Sequence, residues 1–297
     1  MIAIMMYLNK CNLCPHMCLV DRENKKRGFC KSGENVKIAL SSKFFYEEPC
    51  ISGTKGSGAV FFSNCNLRCV YCQNYKISKE GKGKEISIKE LADIFLNLQE
   101  EGACNINLVT PTIYALHIKE ALILAKKNGL NIPVIYNSSG YENVDTIKEL
   151  DGLIDVYLPD FKYCSNELGL KYSGVNKYFD FASRAILEMY RQVGHPIFDD
   201  NGIIKKGLII RNLILPNNTK NTKNVLEWIV ENIGKEAYVS IMAQYFPTNE
   251  AQNINELNRK ITKREYHIIE KYMYDLGLEN GYFQRLGKNE EKYVPNF

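Results

Sequence analysis

Phe62-Ser63-Asn64-Cys65-Asn66-Leu67-Arg68-Cys69-Val70-Tyr71-Cys72-Gln73-Asn74 packs three cysteines into eight residues, spaced Cys-x3-Cys-x2-Cys, with an aromatic just before the last. Ala59-Val60-Phe61-Phe62, directly ahead, is an apolar run of strand length. Three thiolates are one short of the four that normally hold a cubane iron–sulfur cluster. A cluster bound here would keep one iron open to a small molecule, as catalytic metal sites generally do. A zinc knuckle or three unrelated buried thiols are the plain alternatives. The spacing, the aromatic and the preceding strand together favour the open cluster.

The pattern around this loop is βα repeated. Ser87-Ile88-Lys89-Glu90 is a capping box, and Ile88, Leu91, Ala92, Phe95 and Leu98 recur at helical spacing up to Gly102. Ile106-Asn107-Leu108-Val109 reads as a strand, followed by a helix near 113–127. Ile132–Tyr136 and Ile154–Leu158 read as further strands, with a short helix near 143–150 between them. Helices near 178–193 and 221–233 alternate with the strands Leu208–Leu215 and Tyr238–Met242. A second capping box, Thr262-Lys263-Arg264-Glu265, starts a helix that runs to about Tyr274. Short apolar strands alternating with helices imply a parallel sheet. About six such units fit, fewer than a closed barrel needs. The pattern alone does not separate a partial barrel from a doubly wound sheet. The expected organisation is a cysteine-rich, loop-rich leader over 1–58, an α/β core over 59–246 and a C-terminal extension over 247–297.

In parallel α/β folds ligands sit at the carboxyl ends of the strands. Polar residues stand at those ends here: Thr110-Pro111-Thr112, Asn137-Ser138-Ser139, Asp160 and Lys162, and Gln244. Turns are polar in any case, which covers about half of them. Asp160 and Lys162 are less easily covered, because alternate residues leaving a strand face the same way and can meet one ion together. Arg211 lies inside an apolar run of eight residues. A buried guanidinium needs a partner, either a structural Asp or a ligand carboxylate or hydroxyl.

The cysteine motif, with Gly56-Ser57-Gly58, Cys72-Gln73-Asn74, Asn105–Thr112, Tyr157–Tyr163 and Met242-Ala243-Gln244-Tyr245, resembles the radical S-adenosylmethionine (SAM) superfamily. Within it, the chain is similar to the pyruvate formate-lyase activating enzymes and looks closest to an activating-enzyme-like subgroup of unnamed substrate. The resemblance implies a partial (β/α)6 barrel and a [4Fe–4S] cluster on Cys65, Cys69 and Cys72 whose open iron chelates SAM. It implies that Tyr71 lies against the adenine, and that Asn74, Thr110, Thr112, Asn137, Ser139, Asp160, Lys162, Arg211 and Gln244 surround the cofactor. Activating enzymes use an Asp-x-Lys pair, matched by Asp160 and Lys162, for the SAM carboxylate and a monovalent cation. Their second cation-binding Asp corresponds here to Asn137. Their Gly-Gly-Glu, which takes the SAM amino group, is replaced by Thr110-Pro111-Thr112.

Such chemistry is oxidoreductase chemistry. One electron from a flavodoxin or ferredoxin splits SAM into methionine and a 5′-deoxyadenosyl radical, which takes hydrogen from a substrate. That substrate is a small molecule, a protein or peptide residue or, in an activase, a protein glycine. An iron–sulfur electron carrier or zinc-stabilised scaffold is the non-enzyme alternative.

Cys11-x2-Cys14-Pro15-His16-Met17-Cys18, with Cys30 further on, is a second thiol group. Its spacing reverses that of the first, and four thiolates would close a coordination shell. Structural zinc or an auxiliary [4Fe–4S] centre both suit it. Gly28 gives the backbone freedom there, and His16 reads as a neighbour of the ligands rather than one of them. Cys104 reads as core, and Cys50 and Cys164 as loop residues. Ten cysteines with no secretory signal argue for metal ligation in a reducing cytosol rather than for disulfides. A formal charge of +4 from scattered lysines does not indicate a nucleic-acid partner. No apolar run reaches membrane-spanning length. The 45% of hydrophobic residues suffices for a sizeable core.

Overall fold

Apolar runs of four to six residues become strands buried on both faces, as parallel strands covered by helices must be. A computed structural model describes residues 8–287; the expected ends of the leader (1–7) and of the C-terminal extension (288–297) lie outside the described residues. The strands are β1 (Val36–Phe44), β2 (Ser57–Phe62), β3 (Lys84–Ile86), β4 (Ile106–Val109), β5 (Val134–Ser138), β6 (Val156–Pro159), β7 (Ile197–Phe198), β8 (Ile204–Leu213), β9 (Tyr238–Met242) and β10 (Gly281–Phe283). The helices are α1 (Pro49–Ser52), α2 (Tyr75–Ser78), α3 (Ile88–Glu100), α4 (Ala115–Lys127), α5 (Val144–Lys148), α6 (Asn166–Ser173), α7 (Tyr178–Val193), α8 (Thr219–Asn232) and α9 (Lys263–Asp275).

The sheet runs β10-β9-β8-β6-β5-β4-β2-β1-β3. β2, β4, β5, β6, β8 and β9 pair in parallel, each beside the next in sequence. The order never reverses, so there is no doubly wound switch point. Winding in one direction by six βα units is that of a partial barrel. The largest core packs α3, α4, α7 and α8 against the sheet through residues such as Phe95, Leu122, Ile186 and Leu226. Both expected capping boxes form: Ser87 accepts from the Glu90 N–H, and Thr262 from that of Glu265.

The leader holds more regular structure than its sequence suggests. β1 pairs antiparallel with β2, from Ile38 opposite Phe62 to Phe44 opposite Ser57. The chain then turns through Glu47 and Glu48 into α1. Cys50 and Ile51 of α1 pack on Ile135, Val156, Leu158 and Ile209, the inward residues of three barrel strands. Cys50 is therefore a buried helical residue, not a loop one. None of the described helices is long and apolar enough to cross a membrane.

Candidate functional site

A cavity of about 590 Å³ opens at the carboxyl ends of the parallel strands. Cys65, Cys69, Cys72, Tyr71, Asn74, Thr110, Asn137, Ser139, Asp160, Lys162, Arg211 and Gln244 all line it. Residues spread over nearly 180 positions of sequence thus meet at the strand ends, where α/β folds bind ligands.

The cysteine loop begins as β2 ends, and Asn64 takes φ +69° at the turn. The Leu67 N–H donates to Cys65 Sγ at 3.4 Å. Ser173 Oγ lies 3.0 Å from Cys69 Sγ, and Ser78 Oγ 3.2 Å from Cys72 Sγ. Burial pushes the Cys65 thiol up to about 12. Burial also raises the Cys69 thiol, with the nearby Lys162 ammonium opposing it. Thiols held up in this way ionise only when a metal compensates the charge. Three sulfurs with hydrogen-bond donors, facing a cavity with a lysine behind them, fit a cluster held on three sides. Among the described residues no three His, Cys, Asp or Glu side chains are gathered to hold a single ion as they stand, here or in the leader. Tyr71 OH lies 2.6 Å from Tyr163 OH, which lies 2.9 Å from Ser173 Oγ, so the expected adenine-side tyrosine is tied to the hydroxyl that lies against Cys69 Sγ.

Arg211 organises the opposite wall. Nε donates to Asp160 Oδ1 at 2.8 Å, Nη1 to Glu47 Oε2 at 3.1 Å and Nη2 to Asn137 Oδ1 at 2.6 Å. Two of these partners, Asp160 and Glu47, are carboxylates of the chain itself, and the third is the Asn137 amide oxygen. Lys162 Nζ reaches Asp160 Oδ2 at 2.7 Å. Burial works to raise the Asp160 carboxyl, but the Arg211 guanidinium and Lys162 ammonium outweigh it and hold it below the ordinary value. Asp160 and Asn137, the positions compared with a monovalent-cation site, both face the Arg211 guanidinium instead.

Glu47 and Glu48 were not legible as site residues, because only the fold carries this turn from β1 into the barrel. Glu47 Oε1 accepts from Asn107 at 3.0 Å and Asn137 at 3.3 Å. Burial, opposed by Arg211, raises its carboxyl to about 7. Thr110 holds φ +62°, which strains a β-branched residue. Thr112 does not line the cavity: it is buried, and its hydroxyl donates to Glu142 Oε1 at 2.6 Å. Turning into the 3-10 segment Thr112–Tyr114 carries its side chain behind the strand ends. Glu142 is itself fully buried, and burial raises its carboxyl to about 8.

In the leader, Cys11, Cys14, Cys18 and Cys30 line a separate small cavity. His16 lines the same cavity, with its Nε2 donating to the Asn66 carbonyl at 2.8 Å. Cys104 is half-buried and its thiol reaches the Ser52 carbonyl at 3.5 Å, while Cys164 is half-buried with its N–H held by Asn221 Oδ1.

The chain is similar to several known proteins. The uncharacterized protein MJ0674 of Methanocaldococcus jannaschii is 34% identical over 282 residues, covering 90% of this chain and 76% of the relative. The uncharacterized protein MJ0808 of the same organism is 24% identical over 251 residues, covering 76% of this chain and 68% of the relative. Among solved structures, SuiB of Streptococcus suis has 15% identity and a TM-score of 0.51 over 75% of this chain. HydG, a maturase of the [FeFe]-hydrogenase, has 16% identity and a TM-score of 0.50 over 73%. The chain spans about half the length of those two proteins, 47% and 49%, so the likeness is one of fold. The Radical SAM superfamily model matches residues 59–229, the stretch that carries the three cysteines and the strand ends around them. The chain belongs to the radical SAM superfamily, whose cofactors are a [4Fe–4S] cluster and SAM.

Proposed function

We infer that Cys65, Cys69 and Cys72 hold the cluster, that SAM occupies the cavity between them and Arg211, and that the substrate is a peptide or protein residue entering over an aromatic rim. The carrying observation is the convergence of the three sulfurs with Asp160, Lys162 and Arg211 on one cavity. When bound, the cluster and SAM supply a 5′-deoxyadenosyl radical on one-electron reduction. The residues of this chain bind, orient and shield. Lys162 offers a cation to the SAM carboxylate while Asp160 and Arg211 fix its position. Tyr71, braced by Tyr163, offers a flat face to the adenine. The Thr110 hydroxyl and strand-end carbonyls accept from the SAM ammonium in place of the absent glutamate. Asn74, Ser139 and Gln244 supply further polar wall.

Phe44, Phe45, Tyr46, Tyr282 and Phe283 form the rim, and Phe45 and Tyr46 are 51% and 49% exposed. Exposed aromatics beside a deep polar site suit a peptide that buries one residue. Activation of a glycyl radical enzyme is the narrower form of this reading, supported by the Asp160–Lys162 pair. A flavodoxin or ferredoxin in a reducing cytosol would supply the electron. Electron paramagnetic resonance of the dithionite-reduced, reconstituted protein tests the site. Adding SAM should change the cluster's spectrum, and Lys162→Ala should raise the SAM concentration required at least tenfold. A spectrum indifferent to SAM would overturn the open-iron reading.

A further inference from the structure

The leader cavity is lined by Cys11, Cys14, Cys18 and Cys30 together with Arg22, and lies apart from the SAM cavity. Arg22 is the unexpected member. It is only 1% exposed. Nε donates to the Gly33 carbonyl at 2.7 Å and Nη1 to the Ile113 carbonyl at 2.9 Å, while Nη2 is buried with no hydrogen-bond partner. Nη1 also faces Cys11 Sγ at 4.0 Å. None of these partners carries a formal negative charge. A buried cation without an anion is strongly unfavourable. The anions available to it are sulfurs, and four thiolates in one small space repel each other unless a metal holds them. Neutral thiols would leave the guanidinium with no anion, only the Tyr114 ring 5.8 Å from its Cζ.

We propose that the leader is a second metal centre, ligated by the thiolates of Cys11, Cys14, Cys18 and Cys30, with Arg22 as its buried counter-cation. Tetrathiolate zinc and a tetrathiolate [4Fe–4S] cluster in its oxidised form are both net negative, so Arg22 matches either. Gly28 is shaped to this centre: a Cβ there would lie 2.4 Å from Cys18 Sγ. The sulfurs need drawing together, since none of the described cysteine groups is gathered on one point; the triplet of Cys65, Cys69 and Cys72 shares that property.

The centre also has something to hold. His16, two residues past Cys14, donates to the Asn66 carbonyl and stacks on Phe29 at 3.9 Å. Arg68 lies over the Phe29 ring at 4.7 Å, and its Nη2 donates to the Phe29 carbonyl. Asn66 and Arg68 both lie between Cys65 and Cys69. Fixing the leader therefore fixes the backbone of the SAM-cluster loop.

The test removes the first cluster so that metal reports on the leader alone, which keeps it independent of the SAM reading. A full-length variant with Cys65, Cys69 and Cys72 all replaced by Ala is purified anaerobically, and its zinc, iron and acid-labile sulfide are measured. Stoichiometric zinc without sulfide, or iron matched by sulfide, supports the centre and tells the two forms apart. Adding Cys11→Ala and Cys14→Ala should bring the metal to background. Arg22→Met should lower retention severalfold and Arg22→Lys restore part of it, which a purely packing role would not do. Should Arg22→Met not fold, Gly28→Ala provides the second variant, crowding Cys18 without changing charge and lowering retention likewise. Background metal in the triple variant overturns the proposal. Metal that survives loss of Cys11 and Cys14, or is indifferent to both Arg22→Met and Gly28→Ala, overturns it equally.

Discussion

Arg211 gathers three elements into one wall, with Asp160 from the end of β6, Asn137 from β5 and Glu47 from the leader each taking one nitrogen. Removing it leaves Glu47 and Glu48 without their cation and Asp160 with Lys162 alone, three carboxylates crowded in one largely buried wall. Arg211→Met should destabilise the protein by about 3–5 kcal/mol in anaerobic denaturant titrations, the usual cost of breaking a buried pair from one side. A loss under about 1 kcal/mol would mean that desolvating the guanidinium cancels its pairing. Glu142 makes a different prediction. Burial raises its folded-state value to about 8, above the ordinary carboxyl value of an unfolded chain. The fold binds that proton more tightly, so the contribution to stability is full at acid pH and is lost as pH rises towards about 8. Wild-type melting temperature should fall across that window, by an amount worth a few kcal/mol at ~1.4 kcal/mol per unit. Glu142→Gln, which mimics the neutral acid, should flatten that slope; an unchanged slope would assign it to other groups. At this scale Asp160, Lys162 and Arg211 were legible because charge at a strand end or within an apolar run is costly. Glu47 and Glu142 were not, since nothing local marks a carboxylate that only tertiary folding buries.

The elements follow local rules where the chain obeys them. Ser87 and Glu90 close a capping box on α3 and Thr262 and Glu265 another on α9, both legible from four residues. Ser87→Ala should cost about 1 kcal/mol, the usual value for an N-cap, read by thermal melting. No measurable change would show that packing of Leu91, Phe95 and Leu98 alone sets the start of α3. β1 escaped the pattern because it lies half-buried along its length rather than alternating, so period two never appears. β3, β7 and β10 are two or three residues long, too short for any period to register. The positive φ of Thr110 was illegible for the opposite reason: a β-branched residue is the last expected there.

For the whole molecule, six βα units were countable from apolar runs, but the direction of winding was not. It depends on which strands become neighbours, and the parallel order β2-β4-β5-β6-β8-β9 supplies that. Single-direction winding leaves every strand end facing one cavity, which is why residues from Cys65 to Gln244 meet there. The leader and the C-terminal extension add β1 and β10 at the two sides of that row, and with them the aromatic rim. On this reading the cavity cleaves SAM at a cluster held by three cysteines. The most direct measurement is 5′-deoxyadenosine formed by anaerobically reconstituted protein with dithionite and SAM, compared with its Cys69→Ala variant. The wild type should form it and the variant should not; equal product from both, or none from a wild type loaded with iron and sulfide, would mean that SAM is not cleaved at this triplet.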